Sequence, residues 1–247
     1  MHVLVTRPQP DAQPLIAALE SSGHQVSHIP LLDIVFFDSI EIPNSNYQAA
    51  LITSANGARA LAHNRNKSKS QIDFSKVKAI TVGPASAKAA TQAGFESVVQ
   101  TKLGDVNGII DYVNTNLSPD DGPLFYPSGT KTTGDLQSIL SKTGFTVERS
   151  ILYKAQPLEK LSSDIIDSIQ GGRIKGVLLF SPRTAKIWLS LTNSCIDGSR
   201  LAKLGHFCLS QNVANVLVNA LGNDCDITIC KKPDTQNMLA AINASNL

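Results

Sequence analysis

The chain has 247 residues, of which 42% are apolar and 17% charged, with a net charge of +2. That length supports one large core or two modest ones, and two domains is the starting expectation. The small net charge and the 5% aromatic content exclude the basic field and stacking platforms of a nucleic-acid binder, and no apolar run approaches the roughly 18 residues of a membrane span.

Residues 1–6 read as a strand that begins without the basic and apolar regions of a signal peptide, so a cytoplasmic protein is expected. Residues 10–22 follow as an amphipathic helix closed by Gly23, and 25–30 as a second strand. From 31 to 46 the pattern loosens between Pro30 and Pro43 and reads as a connection. Residues 48–53 form the next strand, running into Ser54-Ala55-Asn56-Gly57 and a helix to about 64; 65–75 is a polar, lysine-bearing loop. The clearest stretch comes next. Residues 78–82 are apolar and β-branched, Gly83-Pro84 breaks them, and 85–93 are strong helix formers stopped by Gly94. A turn of this kind points free N–H groups, with Ser86 among them, off the strand's carboxyl end, which suits an anion.

A short strand near 98–99 and a helix from about 105 to 117 precede the breaker Ser118-Pro119-Asp120-Asp121-Gly122. Residues 123–127 begin again as a strand, 130–143 are helical and end at Gly144, and 145–153 form a strand. Residues 161–170 make a helix stopped by Gly171-Gly172, and 175–180 a strand delivered into Ser181-Pro182-Arg183-Thr184. A helix to about 191 and an irregular stretch to 204 follow. Residues 206–209 then feed Ser210-Gln211-Asn212 and a helix to 221, 226–229 form a strand, and 234–243 the last helix. Strands alternating with helices predict parallel sheets covered on both faces.

Two halves of the chain resemble each other. Leu19, Gly23 and Val26 match Leu140, Gly144 and Val147; Ile52-Thr53-Ser54 and Ala58 match Leu179-Phe180-Ser181 and Ala185; Gly83 and Ala87 match Ser210 and Ala214. The offsets stay between 121 and 129 residues, with Asp105 and Asp234 the widest pair, as loop insertions in a duplicated unit would leave them. Read from the residues alone, this cuts the chain into two consecutive α/β halves.

The strand ends carry the chemistry. Thr6-Arg7-Pro8, Ser54-Ala55-Asn56, Gly83-Pro84-Ala85-Ser86, Pro127-Ser128-Gly129-Thr130, Ser181-Pro182-Arg183-Thr184 and Ser210-Gln211-Asn212 each place small hydroxyl or amide residues before a helix. Singly, each is an ordinary N-cap. Together they line the carboxyl edges of two parallel sheets, where open α/β folds bind ligands, and a polyanion suits that edge. Arg7 and Arg183 are candidates to pair with ligand carboxylates. Tyr153 ends a strand where the chain leaves one unit for the other; a tyrosine there more often packs than reacts.

Other chemistries find no pattern. No Gly-x-Gly-x-x-Gly or Gly-x4-Gly-Lys-Ser/Thr occurs, and Ser54 and Ser181 sit in no Gly-x-Ser-x-Gly. Cys195, Cys208, Cys225 and Cys230 contain no Cys-x-x-Cys and read as reduced structural thiols; the five histidines show no metal-ligand spacing. Residue chemistry alone leaves open a cofactor-free enzyme, a two-domain binding module for a polyanionic small molecule, and, less well supported, a glycosyltransferase.

Val3 through Pro8, Gly23, Pro30-Leu31-Leu32, Ile52-Thr53-Ser54, Val82 through Ala87, Leu124 through Gly129, Val147 through Tyr153, Phe180-Ser181-Pro182 and Ser210 through Ala214 resemble, in this order and from end to end, the uroporphyrinogen-III synthase family. The resemblance implies an α/β fold of two similar domains, each a parallel sheet flanked by helices, joined by a two-stranded linker, with an interdomain cleft. It implies a discontinuous first domain, 1–32 plus 175–247, a second at 43–153, and linker and crossover segments at 33–42 and 154–174. The implied activity is that of a hydro-lyase in haem biosynthesis: cyclisation of the linear tetrapyrrole hydroxymethylbilane to uroporphyrinogen III with loss of water and inversion of ring D through a spiro intermediate, without cofactor or metal. Implied too are a monomer and transient contact with the preceding pathway enzyme.

By the same resemblance Tyr153 assists departure of the hydroxyl, and Ser54, Ser86, Ser128, Gly129, Ser181 and Ser210 contact substrate. Their strand-end positions, not the resemblance, add Thr6, Arg7, Asn56, Gly83 and Arg183 to the expected binding set. The chain departs from the family at Ser210-Gln211-Asn212-Val213, where many members have Gly-Pro-Thr-Thr.

Overall fold

Short β-branched runs that are apolar throughout have no face to offer water, so they need cover on both sides, and helices returning each strand to the same edge supply it. The computed structural model describes residues 1–9, 11–38, 42–43, 45–65, 73–132, 134–222 and 225–245. Its strands are β1 (His2–Val5), β2 (Gln25–His28), β3 (Leu32–Phe36), β4 (Ala49–Ile52), β5 (Lys78–Thr81), β6 (Val98–Gln100), β7 (Leu124–Gly129), β8 (Val147–Pro157), β9 (Gly176–Leu179), β10 (Gly205–Cys208) and β11 (Ile227–Ile229). The helices are α1 (Gln13–Ser21), α2 (Ala55–Asn64), α3 (Pro84–Gln92), α4 (Val106–Asn116), α5 (Leu136–Lys142), α6 (Ser163–Gln170), α7 (Pro182–Thr192), α8 (Gly198–Ala202), α9 (Gln211–Leu221) and α10 (Thr235–Asn243).

The chain forms two units, Met1–Asp33 with Gln156–Leu247, and Ile34–Ala155. The five-stranded sheet of unit 1 has the order β11-β10-β9-β1-β2 and is parallel throughout. Helices α6, α7 and α9 cover one face with Ile169, Trp188, Val213 and Leu217. Helices α1 and α10 cover the other with Leu15, Leu19, Met238 and Ile242.

The second sheet has the order β3-β8-β7-β4-β5-β6, parallel from β8 to β6. Ala58, Leu61, Ala89 and Ala90 of α2 and α3 pack on one face. Ile109, Val113, Leu136 and Leu140 of α4 and α5 pack on the other.

The internal repeat is visible in these orders, but it does not fold as two consecutive halves. Written from its other edge, the first sheet is β2-β1-β9-β10-β11, and the second contains β8-β7-β4-β5-β6. Matched segments occupy matched positions: β1 and β2 stand where β7 and β8 stand, and β9 to β11 where β4 to β6 stand. Each sheet therefore takes one part of each repeat, because β1 pairs with β9 at Val3↔Gly176, Leu4↔Val177 and Val5↔Leu178.

Local departures have local causes. The segment expected as a connection holds β3, a half-buried strand beside β8; Phe37 N–H continues the pairing by donating to Leu152 O at 2.8 Å. The helix expected over 130–143 begins only at Leu136, where Asp135 caps it by accepting from Ser138 N at 3.1 Å. Strand β8 runs past Tyr153 to Pro157, and the stretch read as irregular contains α8, capped by Asp197. Of the lysine-bearing loop, 66–72 lie outside the described residues, as do Pro10 of the first predicted helix and 39–41 of the predicted 33–42 linker. Among the described residues no helix is long and apolar enough to cross a membrane.

Candidate functional site

A parallel sheet opens a crevice where neighbouring strands send their following helices to opposite faces, and ligands enter at the carboxyl ends there. In the second sheet that place lies between β4, followed by α2 on one face, and β7, followed by α5 on the other. In unit 1 it lies between β1 and β9, followed by α1 and α7.

A cavity of about 210 Å³ sits at the β4–β7 crevice. Thr53 and Ser54 reach it from the end of β4, Tyr126 and Gly129 from β7, Tyr153 from β8, and Lys131 and Thr132 from the segment after β7. Thr53 Oγ1 lies 3.4 Å from Tyr126 Oη, to which it donates. Ser54 caps α2 by accepting from Asn56 N at 3.2 Å and lines the cavity beside Tyr153. Burial pushes the Tyr153 phenol above its usual 10; Ser54 opposes that shift and the neighbouring Tyr126 adds to it. The phenol therefore keeps its proton at neutral pH and is a donor there, not a base.

Backbone irregularity aims this tyrosine. Ser128 pairs with Ile151 but Gly129 with Tyr153, leaving Leu152 as an extra residue on β8. Val147 packs under α4 and α5, so strict alternation would send Tyr153 to that same face. The bulge instead turns Tyr153 onto the core of Leu152, under α2 and α3. Gly129 makes room for the ring: a Cβ there would stand 2.8 Å from Tyr153 Cε2 and 3.3 Å from its Oη.

The other expected site residues divide by what their polar atoms already do. Ser86 is buried; its hydroxyl accepts from Gly83 N at 3.0 Å and donates to Gly83 O at 2.8 Å, closing the start of α3. Ser128 is buried and accepts from Arg149 Nε at 2.7 Å. Thr6 is buried and donates to Leu178 O, tying β1 to β9. Asn56 Oδ1 accepts from Arg59 Nη1 at 3.0 Å. Ser181 and Thr184 cap α7 reciprocally, each backbone N–H donating to the other's hydroxyl at 3.0 and 3.1 Å.

Ser210 opens α9 without a side-chain cap bond. Arg7 lies over the Phe180 ring, 4.8 Å from its centroid, and donates to Thr235 at 3.5 Å. The β1–β9 crevice thus gathers Thr6, Arg7 and Ser181, with half-buried Arg183 in the first turn of α7.

Of the expected set, the cavity brings together Ser54, Gly129 and Tyr153. It adds Thr53, Tyr126, Lys131 and Thr132, which the sequence reading missed. Assigning 130–143 to helix hid Lys131 and Thr132; their place directly after the Pro127-Ser128-Gly129-Thr130 strand end is the signal that would have found them. Among the described residues no group of three or more His, Cys, Asp or Glu side chains is placed to hold a metal. The four cysteines are free thiols, and burial pushes that of Cys208 up to about 12.

The profile of a family described as Uroporphyrinogen-III synthase HemD matches residues 13–240. Among solved structures, the chain is similar to the uroporphyrinogen-III synthetase of Helicobacter pylori at 13% identity, with a TM-score of 0.65 over 98% of this chain and 97% of that one. It is similar also to a mutant uroporphyrinogen III synthase of the extremely thermophilic bacterium Thermus thermophilus at 12% identity, with a TM-score of 0.51 and coverage of 98% and 97%. At such identities these two structures speak for the fold. No curated protein sequence matches the chain significantly.

Proposed function

Because this chain belongs to the uroporphyrinogen-III synthase family, we propose that it cyclises hydroxymethylbilane to uroporphyrinogen III, with Tyr153 and the β4–β7 cavity of unit 2 as the place where the hydroxyl departs. The observation that carries the assignment is a neutral phenol, beside Ser54 and backed by Gly129, facing a cavity whose other polar groups are hydroxyls and one ammonium.

The chemistry asks little of a nucleophile and much of geometry. The pyrrole nitrogen's electron pair expels the hydroxyl, and a Tyr153 proton shared with the departing oxygen lets it leave as water. The resulting cation is attacked by the substituted carbon of ring D to give the spiro intermediate. That intermediate reopens and closes at ring D's other side, and the proton lost from the closing carbon restores the phenol. Free substrate closes directly to the uninverted isomer, so the protein's contribution is chiefly conformational control.

Eight carboxylates need partners. Lys131 supplies a cation at the cavity, Tyr126 and Thr132 supply hydroxyl donors, and the starts of α2 and α3 supply main-chain N–H groups. Unit 1 offers its own carboxylate-binding edge at Arg7, Ser181, Arg183 and Ser210. The hydroxyls of Thr6, Ser86 and Ser128 serve the scaffold on this reading. A cytoplasmic monomer that meets the preceding pathway enzyme transiently completes the proposal.

Incubation with hydroxymethylbilane and chromatographic separation of the products tests it. Uroporphyrinogen III above the spontaneous background is expected; isomer I alone, at the uncatalysed rate, would refute the activity.

A further inference from the structure

The bulge that aims Tyr153 is clamped by a side chain that does not line the cavity. Arg149 lies on β8 four residues before Tyr153, half-buried, with its guanidinium turned along the end of β7. Its Nε donates to Ser128 Oγ at 2.7 Å and its Nη2 to Gly129 O at 2.9 Å. Ser128 passes the restraint back to β8 by donating to Ser150 O at 3.4 Å, and Thr130 N closes the far side of the bulge on Tyr153 O at 3.0 Å.

These bonds span the step at which the register shifts, between Ser128 and Gly129. A planar guanidinium gripping a hydroxyl and a carbonyl on successive residues fixes both peptides at once, which a flexible ammonium does not. Without the clamp, the extra residue on β8 can be absorbed and alternation restored, which returns Tyr153 to the face of Ile151, a side chain 43% exposed.

We infer that Arg149 is a positioning residue: it acts through the β7–β8 bulge to hold the Tyr153 phenol at the cavity. The inference deepens the proposed function and rests on it for its kinetic consequences, while its structural content stands apart from catalysis.

The test uses the full chain with Arg149→Met, Arg149→Lys and Tyr153→Phe, singly and with the first and third combined. Isomer-resolved turnover is expected to fall about tenfold in kcat for Arg149→Met, with KM changed less than about twofold and partial recovery in Arg149→Lys, as for a misplaced catalytic group. Adding Arg149→Met to Tyr153→Phe is expected to cost nothing more, because both remove the same phenol from its place. Full additivity, or a rise in KM at constant kcat, overturns the inference.

A spectrophotometric titration reads the same geometry without activity. The ionisation of Tyr153, taken as the difference from Tyr153→Phe, is expected to move towards the ordinary tyrosine value in Arg149→Met; an unmoved titration overturns the inference even in an inactive protein. If Arg149→Met does not fold, Ser128→Ala removes one of the two anchors and is expected to show the same two effects more weakly, and their absence counts against the clamp. Failure of the proposed function looks different: the unsubstituted chain forms only isomer I, or Tyr153→Phe leaves turnover unchanged.

Discussion

Gly129→Ala puts one carbon atom against the phenol on which the proposed reaction depends. The new Cβ would stand 2.8 Å from Tyr153 Cε2, 2.9 Å from Cζ and 3.3 Å from Oη. Carbon atoms rest about 3.5–4.0 Å apart, so the ring must retreat by roughly 0.7 Å or the strand end must give. Neither is easy: Tyr153 packs on the core of fully buried Leu152, and Arg149 holds the Gly129 carbonyl at 2.9 Å. Overpacking of this kind costs about 1–3 kcal/mol, a lowering of the unfolding midpoint by several degrees, roughly 2–4 °C for each kcal/mol in a chain of this size.

Displacing a reacting group by about 1 Å costs up to about 100-fold in rate, so kcat for uroporphyrinogen III is expected to fall at least about tenfold while KM stays near its starting value. Isomer-resolved kinetics with a thermal melt reads both quantities. Gly198→Ala is the control, since nothing lies within 4 Å of its added Cβ, and it should change neither. A Gly129→Ala protein that melts and turns over like the unsubstituted chain would refute the placement of Tyr153 against Gly129 and the role drawn from it.

Tyr153→Phe keeps the ring and removes the proton; turnover should drop by one to two orders of magnitude, within the usual range for a general acid, with no loss of fold by circular dichroism. Because burial raises the Tyr153 phenol above 10, this group should stay protonated and cause no loss of kcat between pH 6 and about 9; an activity loss centred below pH 9 that disappears in Tyr153→Phe would contradict that. Lys131→Ala should raise KM about two- to fivefold, the worth of one partly exposed ion pair of about 0.5–1 kcal/mol, with little change in kcat and weaker salt dependence. In unit 1, burial lowers His206 from 6.5 to about 4. As pH falls, the unfolded chain takes up this proton first, so the stability His206 confers above pH 6.5 is lost towards pH 4, a total of about 3 kcal/mol. Denaturant titrations of the unsubstituted chain and His206→Gln at pH 7 and pH 4.5 should show the smaller pH effect in the variant.

The sequence by itself determined the succession of strands and helices, because their signals are local. Gly83-Pro84, Ser181-Pro182 and Asp105 sit where structure places the starts of α3, α7 and α4. Strand-end hydroxyls then had to fall at carboxyl edges once both sheets were parallel, and the ordered motifs were enough to point to the family. β3 escaped although Ile34 to Phe37 is an unbroken apolar run, because Pro30, Asp33 and Pro43 around it read as the punctuation of a connection.

Tertiary structure decided what depends on distant partners. That β1, already paired with β2, takes β9 from the far end of the chain as its other neighbour is a choice between equally apolar strands, and only summed burial settles it. The same holds for direction: Ser86 and Ser128 look like Ser54 in sequence, yet the first two spend their hydroxyls inside the scaffold. Lys131 joined the cavity only because β7 carries the chain past Gly129 before α5 begins. The aim of Tyr153 is the sharpest case, since one residue without a partner on β7, Leu152, reverses the face of the side chain after it and leaves no trace in composition or periodicity.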